Sequence, residues 1–116
     1  MEITDREQNS CQIISVKGRL DASTAPQLQT HFEEHISAGR HFFILNLQGV
    51  DYLSSGGLRV LLIATKKARA QNGGVVLTKL HPFVEDLITM AGFNKLIPTA
   101  ASEEDAIALL AEGATV

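Results

Sequence analysis

Val50-Asp51-Tyr52-Leu53-Ser54-Ser55-Gly56-Gly57-Leu58-Arg59 is where an apolar run stops and a helical periodicity starts. Upstream, Phe42-Phe43-Ile44-Leu45 and Leu47 read as a strand buried on both faces. Downstream, Leu58, Leu61, Leu62 and Thr65 recur at i, i+3, i+4 and i+7, so they line one face of an amphipathic helix. Two hydroxyls and two glycines lie between. Such a strand-to-helix junction leaves backbone N–H groups without intrahelical partners and carries the positive end of the helix dipole. A serine can be held exposed there, and a phosphate would be tolerated.

Working outward, the spacing predicts a helix from about 56 to 71, ended by Asn72-Gly73-Gly74, and a strand over Val75–Leu80 closed by His81-Pro82. Val84, Leu87, Ile88 and Ala91 have helical spacing up to Gly92. Leu96-Ile97 reads as a short strand broken by Pro98, and Ser102-Glu103-Glu104-Asp105 has the form of a capping box opening a last helix with Ala106, Ile107 and Leu110. Before the focal stretch, residues 2 to 6 lead through the Glu7-Gln8-Asn9-Ser10 turn into a strand from Cys11 to Lys17, an antiparallel hairpin closed by Gly18-Arg19-Leu20-Asp21. Asp21, Ser23 or Thr24 can cap the next helix, which tolerates Pro26 in its first turn, carries Ala25, Leu28, Phe32 and Ile36 on one face, and stops at Gly39. The order β-β-α-β-α-β-α-β-α predicts an α/β fold, one domain over 1–116. Its mixed, mostly parallel sheet has four to five strands, about four helices and an N-terminal β-hairpin. Sites in such sheets lie where strands end and helices begin, as the Ser54–Gly57 loop does.

Composition narrows the function. The 116 residues suffice for one hydrophobic core, and 45% hydrophobic with 20% charged residues places the chain among globular proteins. A net charge of -3, from 10 basic and 13 acidic side chains without a basic block, argues against nucleic acid. The single cysteine, Cys11, needs no oxidising compartment and reads as a small buried hydrophobe. The charged start, Met1 to Glu7, lacks the apolar core of a signal peptide, and no apolar run approaches a membrane span, so a cytoplasmic protein that does not engage the membrane is expected.

Catalytic motifs fare poorly. A hydrolase nucleophile elbow needs glycine two residues before and two after the serine; before Ser55 stands Leu53, and no acid-plus-histidine pair accompanies it. Neither GxxxxGK[ST] nor GxGxxG occurs. His31-Phe32-Glu33-Glu34-His35 puts two imidazoles at i and i+4, but Phe32 takes the place of the zincin glutamate and no third ligand is apparent. The two histidines therefore read as solvated groups flanking the apolar stripe, and His41 and His81 as boundary residues. No enzyme activity, cofactor or metal is expected. Arg59, Lys66, Lys67 and Arg69 form a solvated helix face, of which Arg59, four residues after Ser55, is placed to meet a group near that hydroxyl or an acidic partner residue. Ser55 itself can serve as a helix N-cap, a role compatible with any other.

Gly18-Arg19-Leu20-Asp21, Ile44-Leu45-Asn46-Leu47, the Tyr52–Leu62 stretch, Asn72-Gly73-Gly74, Leu87-Ile88 and Gly92-Phe93 resemble, in order and spacing, the STAS family of sulfate-transporter and anti-sigma-factor-antagonist domains. The resemblance covers nearly the whole chain. It implies an anti-sigma factor antagonist that binds an anti-sigma factor, itself a serine kinase, and so frees a sigma factor. Phosphorylation of the serine matching Ser55 would release the partner, and a PP2C-type phosphatase would reset it. The implied surface is Asp21, Ser23 and Thr24 with Ser54, Ser55, Gly56, Gly57 and Arg59, on a monomer or weak dimer. Ser54 stands where the family has Asp, and Gly56 where it has a second Ser or Thr, which removes a fixed charge and a spare hydroxyl beside Ser55. The other reading is a constitutive interaction module of a transport or signalling assembly, with Ser55 only a cap.

Overall fold

Asn9 and Ser10 both take left-handed backbone (φ 53° and 64°), the conformation of a two-residue hairpin turn whose twist matches its strands. They join β1 (Glu2–Gln8) to β2 (Cys11–Leu20) with Glu2 opposite Lys17 and Gln8 opposite Cys11. The computed structural model of the chain describes residues 1–114. After β2 come α1 (Ala25–Ser37), β3 (Phe42–Leu53), α2 (Ser55–Ala70), β4 (Gly74–Thr78), α3 (Pro82–Met90), a 3₁₀ turn (Phe93–Lys95), β5 (Thr99–Ala100) and α4 (Glu103–Ala114). The five strands lie in chain order, β1 antiparallel to β2 and every other pair parallel. The expected α/β fold with its mixed sheet, four helices and N-terminal hairpin is the one observed.

Alternation along the strands divides the core in two. Ile14 and Val16 of β2, Phe43, Leu45 and Leu47 of β3, and Val75 and Leu77 of β4 face a cluster completed by residues of α1, α2 and α3. Ile13, Ile44 and Val76 point the other way, onto Ala106 and Leu110 of α4, together with the buried Cys11. Phe32 of α1 meets Phe43 edge-on at 5.2 Å between ring centroids. The buried face of α2 is broader than its periodicity implied: besides Leu58, Leu61 and Thr65 it includes Val60, Ala64 and Ala68, with Leu62 only half-buried. Lys67 Nζ donates to Glu33 Oε1 at 2.7 Å, joining α2 to α1.

Several expected boundaries move, each for a backbone reason. β3 continues to Leu53 instead of stopping near 47, because its second half stays paired with β2, Gly49 opposite Lys17 and Leu53 opposite Leu20. Helix α2 consequently starts at Ser55, directly after the strand. β4 ends at Thr78, since Lys79 turns to φ 57°. Leu96-Ile97 is not a strand. The N–H groups of Leu96 and Ile97 donate to Phe93 O at 2.9 and 2.8 Å, so the turn consumes them, and sheet bonding begins only with Pro98, whose carbonyl accepts from Leu77 N. Ser102 caps α4 as the capping-box pattern predicts, its Oγ accepting from Asp105 N at 3.1 Å.

Candidate functional site

The Ser54–Gly57 stretch, expected as a loop, is the N-cap and first turn of α2, and it lies at the C-terminal ends of parallel strands β2 and β3. Ser54 N donates to Leu20 O at 3.0 Å, so the loop is sewn to the end of β2 as β3 finishes. Ser54 has extended backbone (φ -100°, ψ 174°), and its Oγ accepts from Gly57 N at 3.5 Å: Ser54, not Ser55, is the N-cap of α2. The expectation that Ser55 could cap is thereby corrected. Ser55 is the first helical residue and is exposed, and among the described residues its hydroxyl makes no hydrogen bond within the chain.

The two glycines are needed for close approach. A Cβ on Gly57 would stand 2.7 Å from Leu20 O and 2.8 Å from Leu53 Cδ1. One on Gly56 would stand 3.0 Å from Ala22 Cα and 3.2 Å from Ala22 Cβ. The first turn of α2 is therefore seated on the Leu20–Ala22 segment, which brings the two expected parts of the surface, 21–24 and 54–57, into contact.

Asp21 shapes the second part. Its Oδ1 accepts from Ser23 Oγ at 2.6 Å, Ser23 N at 2.9 Å and Thr24 N at 3.2 Å. Thr24 Oγ1 donates to Arg19 O at 2.8 Å and accepts from Asp21 N at 3.0 Å. These bonds, the Ser23 hydroxyl foremost, hold the Asp21 carboxyl down at about 2 against partial desolvation, so it is a fixed negative charge. Of the three capping candidates, Thr24 occupies the N-cap position of α1 but makes no side-chain cap bond; Asp21 organises the preceding turn instead. Arg19, which the sequence reading did not select, lies with its guanidinium 3.9 Å from the Tyr52 ring centroid and 3.5 Å from Asp21 Oδ2. A cation on one strand and a ring on its neighbour carry no local sequence signal; their parallel register pairs them.

Arg59 is exposed and, among the described residues, has no ion pair, so its guanidinium is open to a partner or a phosphate. No acidic residue lies in the first turn of α2 to oppose one. His41 Nδ1 contacts Gly39 O at 3.0 Å, and His81 Nε2 donates to Gln48 O at 2.8 Å, in keeping with boundary roles. His31 and His35 differ from expectation. Their side chains are only 24% and 16% exposed, and both direct Nε2 at the Asp5 carboxylate from β1, so they are not simply solvated. Asp5 gave no signal in sequence because it lies 26 residues from His31 on another element. No helix among the described residues is long and apolar enough to cross a membrane.

Known proteins share this fold. BtrV of Bordetella bronchiseptica, named as a candidate anti-sigma factor antagonist, is 32% identical over 108 residues, 93% of each chain. The crystal structure of an anti-sigma factor antagonist from Mycobacterium paratuberculosis superposes with a TM-score of 0.85 at 22% identity, over 94% of this chain and 92% of that one. The Bacillus cell-fate determinant SpoIIAA, solved in its phosphorylated form, has the same fold at a TM-score of 0.71 and 20% identity, over 91% and 96%. The family model described as the STAS domain matches residues 2–106, which span the whole sheet, the Ser54–Gly57 loop and the start of α4. Its reach across every strand, together with the loop seated on the β2–α1 turn, places the chain in the STAS domain family.

Proposed function

We propose that this chain is an anti-sigma factor antagonist: a non-enzymatic switch that docks a serine-kinase anti-sigma factor on the surface made by 21–24, 54–57 and the first turns of α2, and so releases a sigma factor. The observation carrying the reading is the division of labour between two adjacent serines. Ser54 caps the helix, which leaves the Ser55 hydroxyl exposed and free for a kinase. The BtrV likeness over nearly the full chain supports the partner class.

Phosphorylation of Ser55 would add a charge of about -1.5 to -2 at the first helical position, where unpaired N–H groups and the helix dipole favour it. Arg59 lies one turn on and can pair with it. The antagonist's own fold would then tolerate the phosphate. Release follows from like-charge repulsion and lost packing across the interface, and a PP2C-type phosphatase would restore the hydroxyl.

The test is binding of the kinase-type anti-sigma factor by titration calorimetry. Wild type is expected to bind, with Ser55→Asp weaker by at least about tenfold, a loss on the order of 1.4 kcal/mol, and unchanged in circular dichroism. Incubation with the kinase and ATP should yield one phosphopeptide containing Ser55, absent in Ser55→Ala. Equal affinity of wild type and Ser55→Asp would overturn the switch and leave a constitutive interaction module.

A further inference from the structure

We infer that Asp5, His31 and His35 form a binding site for a borderline divalent transition-metal ion of the Zn²⁺ class, which clips edge strand β1 to helix α1. The two imidazoles stand one helical turn apart on α1, centroids 5.1 Å apart and planes at 72°. Asp5 is opposite Ile14 in the β1–β2 ladder, and Ile14 belongs to the core cluster that α1 covers, so its carboxylate projects to the α1 side of the sheet. His31 Nε2 lies 2.5 Å from Asp5 Oδ2, and His35 Nε2 lies 3.3 Å from Asp5 Oδ1. Three ligand atoms from two elements thus fall within 4.8 Å of one another.

That set suits such an ion. Zinc takes imidazole nitrogen and carboxylate oxygen at about 2.0–2.2 Å in tetrahedral array, so the ligand atoms must settle roughly 3.4 Å apart, His31 Nε2 backing away from Asp5 Oδ2 to admit the ion. Two half-buried rings and a carboxylate at the sheet edge reach this by small side-chain rotations. Two imidazoles with one carboxylate select Zn²⁺, Co²⁺ or Ni²⁺ over Mg²⁺ or Ca²⁺, which prefer all-oxygen sites, and leave a further position for water. Arg40 Nη1 now lies 3.4 Å from His35 Nδ1. Coordination through Nε2 puts the proton on Nδ1, so the exposed Arg40 must swing aside as the ion enters. Phe32 fills the position a metalloprotease gives to its glutamate base, and it is buried against Phe43, so this arrangement fits an ion that fastens rather than one that hydrolyses.

The site is separate from the docking surface. The His35 ring lies 6.3 Å from that of Phe43, at the start of β3, whereas Ser54 follows the end of that strand. The experiment uses tag-free protein, with Zn²⁺ followed by calorimetry and thermal melting and Co²⁺ by visible absorption. Expected are one ion per chain and a Zn²⁺-induced rise in Tm of about 5 °C or more, reversed by EDTA. Asp5→Asn, His31→Gln and His35→Gln should each weaken binding at least about tenfold, while Cys11→Ser and His81→Gln leave it unchanged. Long-range imidazole ¹H–¹⁵N spectra of the wild type should show His31 and His35, and not His41 or His81, shifting with Zn²⁺, a readout that does not depend on any variant folding. Dissociation constants weaker than about 100 μM, binding that survives Asp5→Asn with His31→Gln, or shifts confined to His41 and His81 would overturn the site.

Discussion

At the scale of single residues, two neighbouring serines do different work, and stability separates them. Removing the Ser54 cap should cost about 0.5–1 kcal/mol, the lower half of the usual range, because its bond to Gly57 N is 3.5 Å long. Ser55→Ala should stay within about 0.5 kcal/mol of wild type, since it breaks no bond in the chain. Urea unfolding of both variants checks this. Asp21 supplies a pH signature. Its carboxyl sits at about 2 in the folded chain against an ordinary 3.8, so its stabilising contribution is complete above about pH 4 and is lost as the pH falls towards 2. Glu33 and Glu103 are also lowered, so acid destabilises the fold through several groups. The part due to Asp21 is isolated by comparing Tm of wild type with Asp21→Asn: the gap between them should narrow as pH falls from about 4 to about 2. The choice of capping serine was not legible in the sequence, because both residues have the right side chain; the extent of β3 decides it.

At the scale of elements, the β3–α2 junction depends on the absence of a side chain. Gly57→Ala would drive a methyl group into Leu20 O and Leu53 Cδ1, and backbone cannot rotate away as a flexible side chain can. A loss of about 1–3 kcal/mol is expected, read by chemical denaturation, with weaker partner binding because the first turn of α2 must lift off the β2–α1 turn. Gly56→Ala meets only Ala22 at 3.0–3.2 Å and should cost less. The helices, the hairpin and their order were readable because apolar spacing and turn chemistry are local. Boundaries were less so. β3 runs on to Leu53 through a segment whose buried Val50 and Leu53 stand three residues apart and so break the period of two that marks a strand, and the 3₁₀ turn displaces the Leu96-Ile97 strand because buried Ile97 serves the core without joining the sheet.

At the scale of the whole molecule, α1 to α3 cover one face of the sheet and α4 part of the other, so the two ends of β3 present separate surfaces of one sheet. One carries Ser55 and the Asp21 turn; the other carries Asp5, His31 and His35. Sites that share no partner residue should act additively. Ser55→Asp is therefore expected to leave Zn²⁺ affinity unchanged, and Asp5→Asn to leave affinity for the anti-sigma factor unchanged, both measured by calorimetry. A metal-dependent change in partner affinity would instead show that tying β1 to α1 alters the docking surface.

The sequence by itself determined the alternation of strands and helices and the glycine-bearing junction at 54–57. Each is written in contacts between residues one to four apart or in a short run of apolar spacing. The tertiary structure alone decided which serine caps the helix, that Arg19 rests on Tyr52, and that Asp5 meets two histidines. Those pairings depend on strand register and on how α1 crosses the sheet, and residues 26 apart leave no periodic trace of meeting.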